Sequence, residues 1–167
     1  MYRFAQVEAV LMTVYAVGAD QRSAFRSRIK YFQKIGIARQ KPGKGQKLEY
    51  EFSDICLWAL TLELSEFGIE PTRIAVAMRS IWPQVSCHLV NGSDKEMLLV
   101  AYPYIMTFET IERQKDEGAI YSGLFGPYLD LTAWTIPKER LLEVLSDRAI
   151  VISLNRLRKR IFIAMED

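Results

Sequence analysis

The apolar positions of this chain keep a helical stride in some stretches and alternate in others. Phe4, Val7, Leu11 and Val14 form one stripe and predict an amphipathic first helix over residues 4–17. Ala24, Phe25, Ile29, Phe32 and Ile35 form a second, for a helix with Asp20 as N-cap that stops at Gly36. Short runs at 37–41 and 48–52 flank Pro42-Gly43-Lys44-Gly45-Gln46-Lys47 and predict a two-stranded ribbon, with Leu48, Tyr50 and Phe52 on one side of its second strand. Ser53 and Asp54 are placed to cap a third helix ending at Phe67-Gly68. Pro71 opens a fourth, expected to end before Pro83.

Past Pro83 the pattern changes. Residues 86–90 and 97–102 predict a hairpin around Asn91-Gly92-Ser93-Asp94, and 104–111 a further strand. Three glycines among aromatics make 112–130 a loop or lid. A helix is expected from Pro137 through Leu145, a buried strand over 149–154, and a last helix over 155–165. The expected fold class is mixed α/β (α+β), in two units: residues 1–82, mainly helical with a two-stranded wing, and 84–167, a small α+β domain. At 167 residues and 50% apolar content each unit can have a core.

Charge changes the picture. Between Arg22 and Lys47 stand nine basic residues and no Asp or Glu; the chain is +2 overall, so the remainder is −7 once this +9 run is set aside. Arg22, Arg26, Lys30 and Lys34 follow one another at i, i+4 on the second helix. Lys41, Lys44 and Lys47 cluster at the ribbon's tip, with Arg39 in its first strand. Like charges at this spacing repel by a few tenths of a kcal/mol per pair, so something compensates them. A segregated field of this sign seeks a polyanion. Arg28 falls within the apolar arc and must snorkel along its edge.

Other chemistry is sparse. Cys56 and Cys87 are too few and too far apart for a thiolate metal site, both are expected to be buried thiols, and His88 has no second imidazole to help it. Phosphate-binding loops, nucleophile elbows and carboxylate constellations are missing from the sequence, so no catalytic residue, metal or cofactor is expected and the chain is read as a non-enzyme. No stretch approaches the roughly 20 apolar residues of a membrane span. The N-terminal apolar run, interrupted by Gln6 and Glu8, is read as a helix and not a secretory signal, which makes the expected location cytoplasmic and nucleoid-associated.

The series Ile29-Lys30-Tyr31-Phe32, Gly36-Ile37, Pro42, Tyr50, Asp54-Ile55 and Phe67-Gly68-Ile69 resembles the DNA-binding domain of the MerR family of bacterial transcription regulators, over roughly residues 20–82. In that family a Leu-Arg-Tyr-Tyr motif on the recognition helix is followed by Gly-Leu, Pro, a Gly-rich wing, a Tyr four residues before Asp-Leu, and a Gly-Phe pair. The resemblance implies that Lys30 stands for the family's DNA-contacting Arg and Tyr31 for its phosphate-binding Tyr. Lys in place of Arg keeps the charge and loses the planar fork. The longer first helix and Val17-Gly18-Ala19-Asp20 in place of a sharp Gly-Val turn also depart from the family, and fit excisionase-like or phage packaging relatives equally well.

The expectation is therefore a sequence-specific transcription regulator on double-stranded DNA. Arg22, Ser23 and Arg26 would lie nearest the base edges, Lys30, Tyr31 and Lys34 on phosphates, and Arg39, Lys41, Lys44 and Lys47 on the backbone or in the minor groove. A homodimer is expected through 84–167, by way of residues 118–128 or the last helix, and the same unit could meet RNA polymerase or another protein. The alternatives are a phage-type DNA-packaging or genome-assembly protein using the same winged helix, and a basic module that docks on an acidic protein.

Overall fold

The computed structural model describes residues 1–38, 48–102, 130–141 and 149–166. Among the described residues the elements are five α-helices and an antiparallel sheet: α1 (Phe4–Val14), α2 (Arg22–Lys34), α3 (Phe52–Glu66), α4 (Pro71–Ser86), β1 (Met97–Tyr102), β2 (Asp130–Pro137), β3 (Ile150–Ser153) and α5 (Leu154–Glu166). The fold is thus mixed, helix-rich α+β, with a three-stranded sheet in the order β2-β1-β3.

Several helix ends follow directly from residue type. Gly36 has φ +88°, its N–H donates to Gln33 O at 3.1 Å and that of Ile37 to Phe32 O at 3.1 Å, with Phe32 and Ile37 both buried. These are the two bonds and the apolar contact of a Schellman stop, and glycine alone takes that φ without strain. Gly68 ends α3 in the same left-handed conformation. Asp54 Oδ2 accepts from Glu51 N–H at 2.8 Å, which makes Glu51 the N-cap of α3, one position earlier than Phe52 and two before the Ser53 expected there. Asp20 likewise does not cap α2: residues Ala19–Gln21 form a 3₁₀ turn, and Gln21 precedes the first residue of the α-helix.

The expected junction at Pro83 is corrected. Helix α4 runs through Pro83 to Ser86 and passes into a π-helical turn at Cys87–Asn91, closed by Gly92 at φ +82°. Residues 86–90 are therefore helical and not the first strand of a hairpin. Their Ser-Cys-His-Leu-Val pattern satisfies period 2, but Leu89 and Val85 are the buried pair and lie one helical turn apart. Cys87 is exposed and only Cys56 is buried, where burial pushes its thiol up to about 12.

The apolar core is continuous across residue 83. A single apolar cluster takes in Leu11 of α1, Phe32 of α2, Trp58 and Leu62 of α3, Ile74 of α4, Leu99 of β1 and Leu157 and Ile161 of α5. The last helix packs on α1 and α3, so its apolar face, expected as a dimer contact, belongs to the core. Arg160 seals the joint: Nη2 donates to Val14 O at 2.8 Å, Nη1 meets Glu63 Oε1 at 2.7 Å, and the guanidinium sits 5.4 Å from the centre of the Tyr15 ring. The Tyr15 hydroxyl donates to Ala59 O at 2.5 Å, and burial raises its pKa.

Strand β1 is central. Leu98 to Ala101 pair with Ser153 to Ile150 on one side, and Met97 to Val100 with Pro137 to Trp134 on the other. Leu99 and Ala101 face the main core, while Leu98 and Val100 face Leu141 and Ala149. Asn155 fastens the approach to β1, accepting from Met97 N–H at 2.8 Å and donating to Ser93 O and Lys95 O at 3.0 and 3.1 Å. The expected helix after Pro137 starts as a 3₁₀ turn, Lys138–Arg140; its continuation, the strand at 104–111, nearly all of the 112–130 loop and the 118–128 dimer surface lie outside the described residues.

Two buried polar atoms, Trp58 Nε1 and Thr61 Oγ1, are uncompensated among the described residues. Thr61 Oγ1 has no hydrogen-bond partner among the described residues and its side chain is fully enclosed. A lone buried hydroxyl is costly, so Thr61→Val, nearly the same shape, is expected to raise stability by about 1 kcal/mol in urea unfolding. An unchanged or lower midpoint would show that the hydroxyl is satisfied in solution.

Candidate nucleic-acid interface

Helix α2 carries the residues singled out from the sequence, and its geometry divides them into three sets. Each i to i+4 step advances about 40° around an α-helix, so the line Arg22, Arg26, Lys30, Lys34 is a spiral and not a straight row. Phe25, Ile29 and Phe32 point inward. Arg22 and Arg26 lie on the flank facing α1, Arg28 on the flank facing α3, and Ser23, Ser27, Lys30, Tyr31 and Lys34 form the exposed outer arc.

On the α1 flank stands Glu8, a residue the sequence reading did not single out. Its side chain is wholly buried, yet it meets two guanidinia: Arg26 through Nε at 2.9 Å and Nη2 at 2.5 Å, Arg22 through Nε at 3.2 Å and Nη2 at 3.5 Å. The hydrogen bond from Arg26 is the chief reason the Glu8 carboxyl lies below the usual carboxylate range; burial opposes the shift and Arg22 reinforces it. Glu8 in turn raises the pKa of Arg26. Arg22 and Arg26, expected nearest the base edges, are thus already engaged by a carboxylate 14 and 18 positions away. The isolated acid inside an apolar stripe was the available signal: an ionisable group on a buried face needs a partner.

On the other flank Arg28 does what its place in the apolar arc requires. It lies along Phe32, with its guanidinium 5.9 Å from the ring centre, and reaches Glu66 Oε1 at 2.6 Å and the Ser65 hydroxyl. The repulsion expected along the basic line is therefore offset at two of its residues, Arg22 and Arg26, by Glu8 of α1, while Glu66 of α3 pairs with Arg28 beside it.

The outer arc differs. Lys30 and Lys34 are exposed and make no ion pair or hydrogen bond among the described residues, and Tyr31 is 45% exposed beside them. Ser27 donates its hydroxyl to the Ser23 backbone carbonyl at 3.0 Å, which keeps the Ser27 side chain close to the helix. At the C-terminal end Arg79 of α4 joins this surface: a side-chain carbon placed on Gly36 would come 3.5 Å from its Nη2. Arg79 is exposed, and its position relative to α2 could not be inferred from a separation of over forty residues.

Tyr50, just after the tip of the expected wing, is held in place. Tyr50 is buried, exchanges two 2.8 Å backbone bonds with Tyr2, packs 5.0 Å from the centre of Trp58 and accepts a 3.0 Å bond from Gln33 Nε2 of α2. Burial raises the Tyr50 pKa. The second strand expected over 48–52 is corrected: Tyr50 makes one isolated bridge, to Tyr2, and Phe52 is the first residue of α3. Arg39, Lys41, Lys44 and Lys47 lie outside the described residues.

Among the described residues no group of three or more His, Cys, Asp or Glu side chains is placed to hold a metal, and no helix is long and apolar enough to cross a membrane. Comparison of the chain with protein-family models, with curated proteins and with solved structures finds no match.

Proposed function

We propose that the chain binds double-stranded DNA through the outer arc of α2, as a transcription regulator related to the MerR-like winged helices. The observation that carries this reading is the pair Lys30 and Lys34. Among the described residues they remain exposed and without an acid while the three arginines of the same helix each have one. A helix whose flanks are tied down and whose outer arc carries unpartnered charge, two hydroxyls and a phenol suits a phosphate backbone and the groove between its strands. Arg79 extends that arc beyond Gly36, and the basic residues 39–47 continue directly from it along the chain.

Titration of a labelled 30-base-pair duplex with the full chain at increasing salt tests the proposal. Contacts to about 4 to 6 phosphates give a log-log slope of roughly −4 to −5. A slope near zero, or no binding at low salt, removes the phosphate-based reading. The full chain is required because α5 completes the core beneath α1 and α3.

A further inference from the structure

Arg22 and Arg26 hold Glu8 by the same edge. Each donates from Nε and Nη2, the side edge of the guanidinium. A guanidinium has five N–H groups in one plane, so both hydrogens of Nη1 and one of Nη2 remain in each residue. The free Nη2 hydrogen and one of Nη1 make the end-on fork, the arrangement that meets paired acceptors. The two arginine side chains are 52% and 43% exposed while the carboxylate between them is at 0%. The acid is inside and the unused parts of both cations are outside.

A tether between α1 and α2 needs one arginine. Placing two on one carboxylate adds repulsion between the guanidinia and leaves the trio at a net +1, a poor way to neutralise a surface and an effective way to orient two side chains one helical turn apart. We propose that Glu8 is a positioning residue for duplex readout: it fixes the end-on forks of Arg22 and Arg26 toward guanine O6 and N7 edges in the major groove. The inference rests on the DNA-binding reading above. It restores a base-reading role to the two arginines, with a restrained geometry in place of free side chains. Restraint matters because a long side chain ordered before binding loses less freedom on contact.

The test uses the full chain and a pool of randomised duplexes, from which the wild type enriches a sequence. Affinities for that duplex and for a random one are compared in wild type, Glu8→Gln, and the double variant Arg22→Lys with Arg26→Lys, with circular dichroism as the check of folding. Glu8→Gln removes a negative charge and frees both guanidinia, so random-sequence affinity is expected to hold or rise while the ratio of selected to random falls roughly tenfold or more. The double-lysine variant keeps every charge and a partner for Glu8, so it remains informative should Glu8→Gln fail to fold. It is expected to lose the same discrimination with random-sequence affinity within about twofold. A parallel change for both duplexes, or an unchanged ratio in the variants, overturns the positioning role and leaves the DNA-binding reading standing. A wild type that binds duplexes without preference does the same, and one that binds no duplex overturns both.

Discussion

Reversing Lys30 and Lys34 together, to Glu, is expected to lower duplex affinity by well over 60-fold at 0.1 M salt without moving the thermal midpoint. At that salt each phosphate contact is worth roughly a factor of eight through counterion release, so two lost contacts account for about 60-fold before repulsion is added. Stability is expected to hold because both side chains are exposed and without partners among the described residues. The salt slope should also flatten by nearly two units. Affinity within about threefold of wild type would place the DNA surface elsewhere on the molecule.

Removing α5, residues 154–167, is expected to unfold the whole chain, including α1 to α4. Leu154, Leu157, Ile161 and Ala164 are buried, and Leu11 and Trp58 belong to the cluster they complete. Full burial of the three large side chains contributes about 1.5–3 kcal/mol each, and exposing their counterparts adds to the loss, against a typical total stability of about 5–15 kcal/mol. Far-ultraviolet dichroism and a fluorescence probe of Trp58 read the result. A truncated chain that still melts cooperatively with native-like signal would establish a separate N-terminal domain.

The helices were legible where one residue type settles the matter. Gly36 and Gly68 mark ends because the chain there takes a positive φ, and Pro71 marks a start because its missing N–H costs nothing in a first turn. Pro83 misleads for the converse reason. Read alone, it predicts a break, but a helix already packed on both sides of that position continues through it. The stretch 86–91 was ambiguous because five residues satisfy either period, and tertiary packing of Leu89 decided for the helical one. β2 was not anticipated, since the aromatic and glycine content before it suggested a loop.

The candidate site was half legible. The cationic run and its helical spacing place Lys30, Tyr31 and Lys34 on the outer arc, where the structure has them. Local spacing cannot reveal acids arriving from other helices, so Glu8 and Glu66 were out of reach of any count made within the run. The compensation demanded by like charges at i, i+4 is met for Arg22 and Arg26 from α1, by Glu8.

The clasp of Arg160 on Val14 O joins positions 146 residues apart, and it has a consequence for biosynthesis. Ribosomes add about 5–20 residues per second, so α1 emerges roughly 7–30 seconds before the helix that completes its packing. During that interval the nascent chain displays Val7, Leu11 and Trp58 without their full cover. A stalled or slowed ribosome lengthens that exposure in proportion. The translation rate between α1 and α5, more than the intrinsic speed of helix formation, then sets how long that apolar surface stays uncovered.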